Sequence, residues 1–490
     1  MLRLLLGAVA AAAVLIAVSA AAVYWFLARD GFRQALEAQA TAWLGEPVRI
    51  GAARAQFLPR IAIQLEDIRV GDPVRVTLED VELAADLRPL IDGRIENADV
   101  IVSDSRIDMP LPFGLPRSTD AATSQSTVRI ASIRSILLRD IRLRSRGREI
   151  VVSADSSLND TTLGLRRFTA ETGNTTLTVE GVVVLSPRVD ARLKATASRL
   201  DVDELIALAD AFTPASAGLP GAQGPPMRIA ASISAEQGTV GAVRIRQFTT
   251  GLMLEGDAIT LNPIRFEMFG GRYDGAVTAR LAAPLSATLE SRLADLDVAQ
   301  LAAFGGVPDT VTGRLSGTGR FTGSGADAPQ LLRDARGTGF ATIVEGTIQR
   351  LHLVRTVVLF FGRPAPNAEE GTDSFNRLDA KFSIANRLLR AEEFSLHSRD
   401  ADVLGAGSLN LDTEALAGRL ELLLSEALSA QAGTDLYRYT RKGNRVLLPA
   451  SIGGTLPAPR LTIDAAAAVK RGLRNEVERR MKDALERLRR

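Results

Sequence analysis

The apolar residues of this chain return with a period of two over most of its length, and that alternation limits the fold more than any other feature. Ile61, Ile63 and Leu65 alternate with Ala62 and Gln64, and Val74, Val76 and Leu78 follow in the same rhythm. The same pattern recurs at Leu177-Val179, Leu193-Ala195-Ala197, Ile229-Ala231-Ile233, Leu252-Leu254, Ile264-Phe266-Met268, Val277-Ala279-Leu281 and Leu420-Leu422-Leu424. Each run reads as a strand with one apolar and one polar face, bounded by Gly, Pro or Asp turns. Helices are expected only at 30–44, 202–212, 297–304, 426–440 and in the tail, so most strands follow one another directly. That order indicates antiparallel pairing. The expected class is therefore mainly β, and it carries a physical problem. A long sheet with one apolar face must hide that face from water, and the helices are too few to cover it. Either the sheet closes on itself as a sandwich, which is the simpler reading of the alternation, or it curls into a groove whose lining is covered by something else.

Units within the sheet repeat. Gly181 to Val184 leads through Pro187 to Arg192-Leu193-Lys194-Ala195 and then to Asp201-Val202-Asp203-Glu204-Leu205. Gly275-Ala276-Val277 leads through Pro284 to Ala287 to Glu290 and then to Asp295 to Leu301. Both read as strand, turn, strand, Asp-capped short helix. A weaker third copy begins at Gly405 to Leu409. Such units stack into an elongated body. Pro214 to Pro226 has linker composition, and Ser118 to Ser126 is a smaller polar break.

At the amino end, Leu4 to Leu27 is free of charge for 24 residues, about 36 Å as a helix and long enough to cross a bilayer core. Arg3, Tyr24, Trp25 and Arg29 flank it as interface residues do. The competing reading is a signal peptide cleaved after Val18-Ser19-Ala20, but the apolar run is too long for a signal core and continues into bulky residues. At the other end, residues 465–490 hold nine basic and four acidic side chains, net +5, with Val469, Leu473, Val477, Met481, Leu485 and Leu488 on one helical stripe. A basic amphipathic helix of this kind suits an anionic membrane surface, the open end of a sheet, or a partner protein.

Much chemistry is excluded. With 490 residues and no Cys, thiol nucleophiles and thiolate metal sites have no material, and only two His (His352 and His397) nearly exclude His-rich metal or triad chemistry. Lys+Arg 59 against Asp+Glu 57 is no nucleic-acid balance. Gly317-Thr318-Gly319 with Gly323 and Gly325 misses the spacing of a phosphate loop and reads as turn glycines. No catalytic group, metal site or cofactor is expected. Arg142, Arg144, Arg146 and Arg148 recur at period two opposite Ile141 and Leu143, with Arg129, Arg134 and Arg139 before them. A strand face of guanidiniums suits phosphate headgroups, although a solvated outer face is the simpler reading.

The chain resembles the AsmA family of bacterial envelope proteins. The resemblance rests on the anchor, on Leu44-Gly45-Glu46-Pro47-Val48-Arg49-Ile50, on Phe57-Leu58-Pro59, on Leu87 to Ile95, and on the strand ending Ile107-Asp108-Met109-Pro110. Toward the carboxyl end it rests on Asp373-Ser374-Phe375, Phe382-Ser383-Ile384, Leu396, Gly405 to Asp412, Ile452 to Leu456 and Pro459 to Asp464. Ala385-Asn386 departs from the family's Asp-Gly turn, and the middle third matches by pattern alone. What the resemblance implies is an inner-membrane anchor at 4–27, a β-groove start over 28–117, middle β repeats over 118–226 with the linker at 214–226, a second β-groove segment over 227–464, and the helical tail at 465–490. It further implies a single-pass protein of the Gram-negative inner membrane with its bulk in the periplasm. Its elongated, curled antiparallel groove would carry phospholipids toward the outer membrane, and the tail would meet an envelope partner. Under that reading Ile61, Ile63, Leu65, Val76, Leu78, Leu252, Leu254, Phe266, Leu281, Leu422 and Leu424 line the groove. The alternative is a scaffold or assembly factor for outer-membrane proteins, without lipid cargo.

Overall fold

The computed structural model describes residues 30–56, 61–86, 94–111, 129–130, 132–212, 227–349, 351–363, 373–464 and positions 466–468, 470, 477 and 481. The expected anchor at 4–27 lies outside them. Among the described residues, no helix is long and apolar enough to cross a membrane. The protein is mainly β and divides into two compact units, Met1–Gly256 and Asp257–Arg490.

The first unit opens with α1 (Asp30–Leu44), which ends at Gly45 (φ +72). Then come β1 (Val48–Gln56), β2 (Ile61–Val70), β3 (Val76–Ala85), β4 (Arg94–Ile95), β5 (Ala98–Ser103), β6 (Arg106–Met109), β7 (Arg129–Ile130), β8 (Ser132–Ser145), β9 (Arg148–Asn159), β10 (Thr162–Thr172), β11 (Thr175–Val184), β12 (Val189–Asp201), α2 (Val202–Phe212), β13 (Met227–Val240) and β14 (Val243–Glu255). Neighbouring strands pair antiparallel, as a direct succession of strands requires, except at two joints and in the small β4–β7 pair. At those joints β5 and β6 both pair with β8 in parallel, and β12 pairs with β13 in parallel from Val189↔Met227 to Asp201↔Thr239. Parallel neighbours need a long crossover. The crossovers fall at the polar break and at the linker, the two interruptions visible in the sequence. At the second joint β12 and β13, on either side of the expected linker, pair directly, and the two compact units divide at 256/257.

The second unit holds β15 (Ala258–Met268), β16 (Gly271–Arg280), β17 (Leu285–Asp297), α3 (Val298–Phe304), β18 (Arg314–Gly325), α4 (Ala328–Arg333), β19 (Arg336–Ile348), α5 (Leu353–Phe360), β20 (Asp373–Ala385), β21 (Leu388–His397), β22 (Ala401–Asn410), β23 (Leu416–Leu424), α6 (Glu426–Ser429), α7 (Thr434–Thr440), β24 (Arg441–Lys442), β25 (Arg445–Thr455) and β26 (Ala458–Ile463). Among its described residues, every strand pairing is antiparallel.

The repeat is present in three copies. In β11–β12–α2 the Asp201 carboxylate accepts from Glu204 N at 3.0 Å, and in β16–β17–α3 Asp297 accepts from Ala299 N at 2.9 Å. In β22–β23–α6, Ser425 takes the capping place, accepting from Leu428 N at 3.3 Å. The single helix expected over 426–440 is two, because Gly433 starts α7 in extended geometry. The glycines of 317–325 are strand residues of β18, not turn residues.

Among the described residues, short helices bury the apolar face in three hydrophobic cores, and α4 lies over Gly323 and Gly325 of β18. Leu36, Ala40 and Leu44 of α1 pack on Val48, Ile50, Ile68 and Val76. Val202 and Leu205 of α2 pack on Ala197, Leu200 and Ala235. In the largest core, Leu353, Val357 and Val358 of α5 meet Leu396, Val403, Leu422 and Leu448. The start of α5 is fixed from a distance: Asp373 Oδ2 accepts from Leu353 N at 2.9 Å.

Candidate functional site

Between these covered patches the apolar face continues as cross-strand rows, which pairing register makes explicit. Directly paired residues share a face. In the first unit one row runs Ile63–Leu83–Val100–Ile136–Ser156–Leu165–Gly181–Leu193–Ala231–Leu252. Ten strands at about 4.8 Å spacing make it roughly 43 Å long. Beside it runs Leu65–Val81–Val102–Leu138–Ala154–Phe168–Val179–Ala195–Ile233. A third row, Leu158–Leu163–Val183–Ala191–Ile229, reaches Leu254. In the second unit, Leu261–Val277–Leu289–Phe321–Gly337–Ile384–Leu389–Leu409–Leu416 is unbroken. Apart from Leu83, which is exposed, the Leu, Val, Ile and Phe members of the first row and of this last one are half-buried. An apolar strand residue facing a second packed layer would be buried, as Leu422 is under α5. The first and last rows are therefore largely apolar and still reached by solvent, whereas the second passes buried Val81, Ala154 and Ala195.

The expected lining residues divide accordingly. Ile63, Leu65, Leu252 and Leu254 stand in the rows of the first unit, and Ile61 pairs with Ala85 one step further along β2. Phe266 heads a row of the second unit, its ring stacked on Tyr273 at 4.5 Å. Val76 is buried in the α1 core, and Leu78 and Leu65 both pack against it. Leu422 and Leu424 are fully buried, because α5 and α6 cover that end of the face. Leu281 lies beyond the end of β16, 53% exposed in the following turn. Alternation within one strand identifies a face but cannot say where a helix from elsewhere will land on it. Leu165, Leu193, Phe321 and Leu389 were missed for the related reason that their membership depends on register.

Glycines smooth this face. Gly319 pairs with Gly339, and rings of neighbouring positions lie over them. A Cβ at Gly319 would come 2.6 Å from the Phe321 ring, and one at Gly339 would enter the ring of Phe382 and approach Thr318 O at 2.7 Å. A ring over a strand glycine keeps apolar area where the glycine offers none.

The arginine segment is a hairpin end. Arg142 and Arg144 lie on β8, alternating with buried Ile141 and half-buried Leu143. Arg146 (φ +46) and Gly147 (φ +79) form the two-residue turn, and Arg148 opens β9 opposite Ser145. The four residues thus share no continuous strand face. The parallel joint supplies another partner instead: Arg106 stands in register with Arg142, both exposed. Arg144 Nε donates to Glu149 Oε2 at 2.5 Å, and that bond, with the charges of Arg144, Arg142 and Arg106, holds the Glu149 carboxyl below the usual range. The hairpin end is a net-positive solvated patch.

The two histidines lie at the ends of elements, His352 (φ +51) before α5 and His397 at the end of β21. His397 Nδ1 lies 3.0 Å from Asp402 Oδ1, and Arg445 donates to Asp402 Oδ2 at 2.7 Å and to Leu424 O and Leu423 O at 2.7 Å each. Burial works against the charge on Asp402, but the bonds from His397 and Arg445 outweigh it and hold the carboxyl below the usual range. Among the described residues, no three His, Asp or Glu side chains stand together as a metal site. In the tail, positions 466–468, 470, 477 and 481 are helical, Ala468 is buried, and Val477 and Met481 of the expected apolar stripe are exposed. Comparison with protein-family models, with curated proteins and with solved structures finds no match to this chain.

Proposed function

We propose that this protein carries phospholipids by their acyl chains along the apolar rows of its sheet, as an AsmA-type protein held in the inner membrane through residues 4–27 with its bulk in the periplasm. The observation that carries the reading is the continuity of half-exposed apolar rows over nine or ten strands within a unit. Bare apolar surface of that extent is costly in water at about 25 cal/mol per Å², and acyl chains are a cover that needs no matching shape. Headgroups would remain in water at the open edge, and the Arg106–Arg142 hairpin end offers guanidiniums to anionic ones. Tails sliding on a uniform face need no nucleotide at the site, so direction would come from the membranes or from a partner.

The test is mass spectrometry of an organic extract of the full-length protein purified in mild detergent. A photo-crosslinking residue at Leu389, in the row, is compared with one at Glu180, on the polar face. Phospholipid in the extract and crosslinking to it from 389 alone are expected. A lipid-free extract overturns the reading and leaves the scaffold alternative.

A further inference from the structure

The polar face of the second unit is not a plain solvated surface. A furrow of about 720 Å³ crosses β16 to β20. Its floor is backbone, where Gly275, Ser291, Gly319 and Gly339 pair in one row whose own side-chain direction is the opposite, apolar face. One wall is the row Asp274–Arg292–Thr318–Phe340–Lys381, and the other includes Glu290, Arg320 and Thr338. A second furrow of about 740 Å³ follows along the same strands, with Thr278, Thr288 and Thr322 in a single row between Arg280 and Arg336.

The first furrow sets Asp274 and Glu290 against Arg292, Arg320 and Lys381, and the second sets Asp334 against Arg280 and Arg336. Both acids of the first are occupied: Arg320 Nη2 lies 2.5 Å from Glu290 Oε1, and Arg265 Nε lies 2.8 Å from Asp274 Oδ2. Arg292, Lys381, Arg280 and Arg336 make no hydrogen bond or ion pair with a described residue, although Glu393 stands opposite Lys381 in register. Next to Lys381 the Phe340 ring is 46% exposed, an aromatic on a face otherwise built of hydroxyls and charges.

We propose that these furrows bind a linear anionic saccharide. Threonine hydroxyls suit sugar hydroxyls, a bare ring suits the C–H face of a pyranose, and unpaired guanidinium and ammonium groups suit carboxylate or phosphate substituents. From the Arg292 row to the Arg336 row is four residues along a strand, about 13 Å, which calls for a chain of sugars and not a single one. Single-stranded nucleic acid fits less well, because one ring cannot stack successive bases. The site lies on the face opposite the apolar rows and does not rest on the lipid reading.

The test is calorimetric titration of the full-length protein in detergent with tetragalacturonate and with a phosphorylated disaccharide, against maltotetraose, inorganic phosphate and an oligothymidylate. At least one acidic saccharide is expected to saturate. The Arg292→Gln/Lys381→Gln variant should bind it about tenfold or more weakly, and Phe340→Ser several-fold, with melting unchanged because all three side chains are exposed. Maltotetraose should not saturate. Failure of both acidic saccharides overturns the proposal, as do undiminished binding by the variants, equal binding of phosphate alone, or tighter binding of the oligothymidylate.

Discussion

Aspartates in the left-handed backbone region set local geometry in this sheet. Asp67, Asp140 and Asp295 have φ of 51°, 51° and 58°, and the residues after them, Ile68, Ile141 and Leu296, are buried. In two of them a serine of the next strand accepts the exposed amide: Ser153 Oγ from Asp140 N at 3.2 Å and Ser316 Oγ from Asp295 N at 3.1 Å. The local sequence Asp-Ile/Leu-x-Val/Leu recurs at each site, so a signal existed, but alternation alone reads straight through it. Asp tolerates this conformation and β-branched residues do not. Asp295→Gly should be nearly neutral in urea denaturation, whereas Asp295→Val should cost about 1–3 kcal/mol; equal costs would mean that φ is not what the position selects. A second expectation concerns acid. Because the Asp402 carboxyl is held below its ordinary value of 3.8, the unfolded chain binds the proton more readily between the folded and unfolded values. Stability from the His397–Asp402–Arg445 network is therefore complete above about pH 4 and is lost as pH falls through the lower folded value. Asp402→Asn should flatten that part of the stability–pH curve measured by chemical denaturation, and an unchanged slope would remove Asp402 from the account.

Elements were legible where their signals are local. Helices α1 and α2 fall on the expected residues, and α3 differs by its capping Asp297 alone, since a cap, a 3.6-residue period and a stop all lie within a dozen residues. α5 was invisible: Val354, Val357 and Val358 are β-branched, and its amide partner Asp373 is 20 residues away in sequence. Strand glycines were misread for a similar reason, because the ring that justifies each one comes from a neighbouring strand or from two residues on. Gly339→Ala must displace both Phe382 and the backbone at Thr318, at a cost of about 1–3 kcal/mol. If the ring is the obstacle, adding Phe382→Leu should recover part of the loss in thermal melts of the two variants. No recovery would place the conflict on the Thr318 carbonyl.

For the molecule as a whole, period two established the class of fold but left open which residues share a row, because register depends on pairings between residues as distant as Gly337 and Ile384. Only with register does a change at one strand have a predictable reach. Leu165 lies in the middle of the ten-strand row, half-buried, between Ser156 and Gly181. Leu165→Ala shortens one of many apolar contacts and should leave bound phospholipid per protein almost unchanged. Leu165→Asp places a carboxylate where a passing acyl chain would have to strip its water, at a cost of several kcal/mol if the chain covers it. In the lipid-free protein the same carboxylate still reaches solvent, so the fold should tolerate it far better than a charge at fully buried Leu422. Lipid content by mass spectrometry should fall sharply in Leu165→Asp while its melting stays close to the parent, and Leu422→Asp should melt early. If Leu165→Asp keeps its full lipid load, acyl chains do not travel along this row and the proposed path fails at its centre.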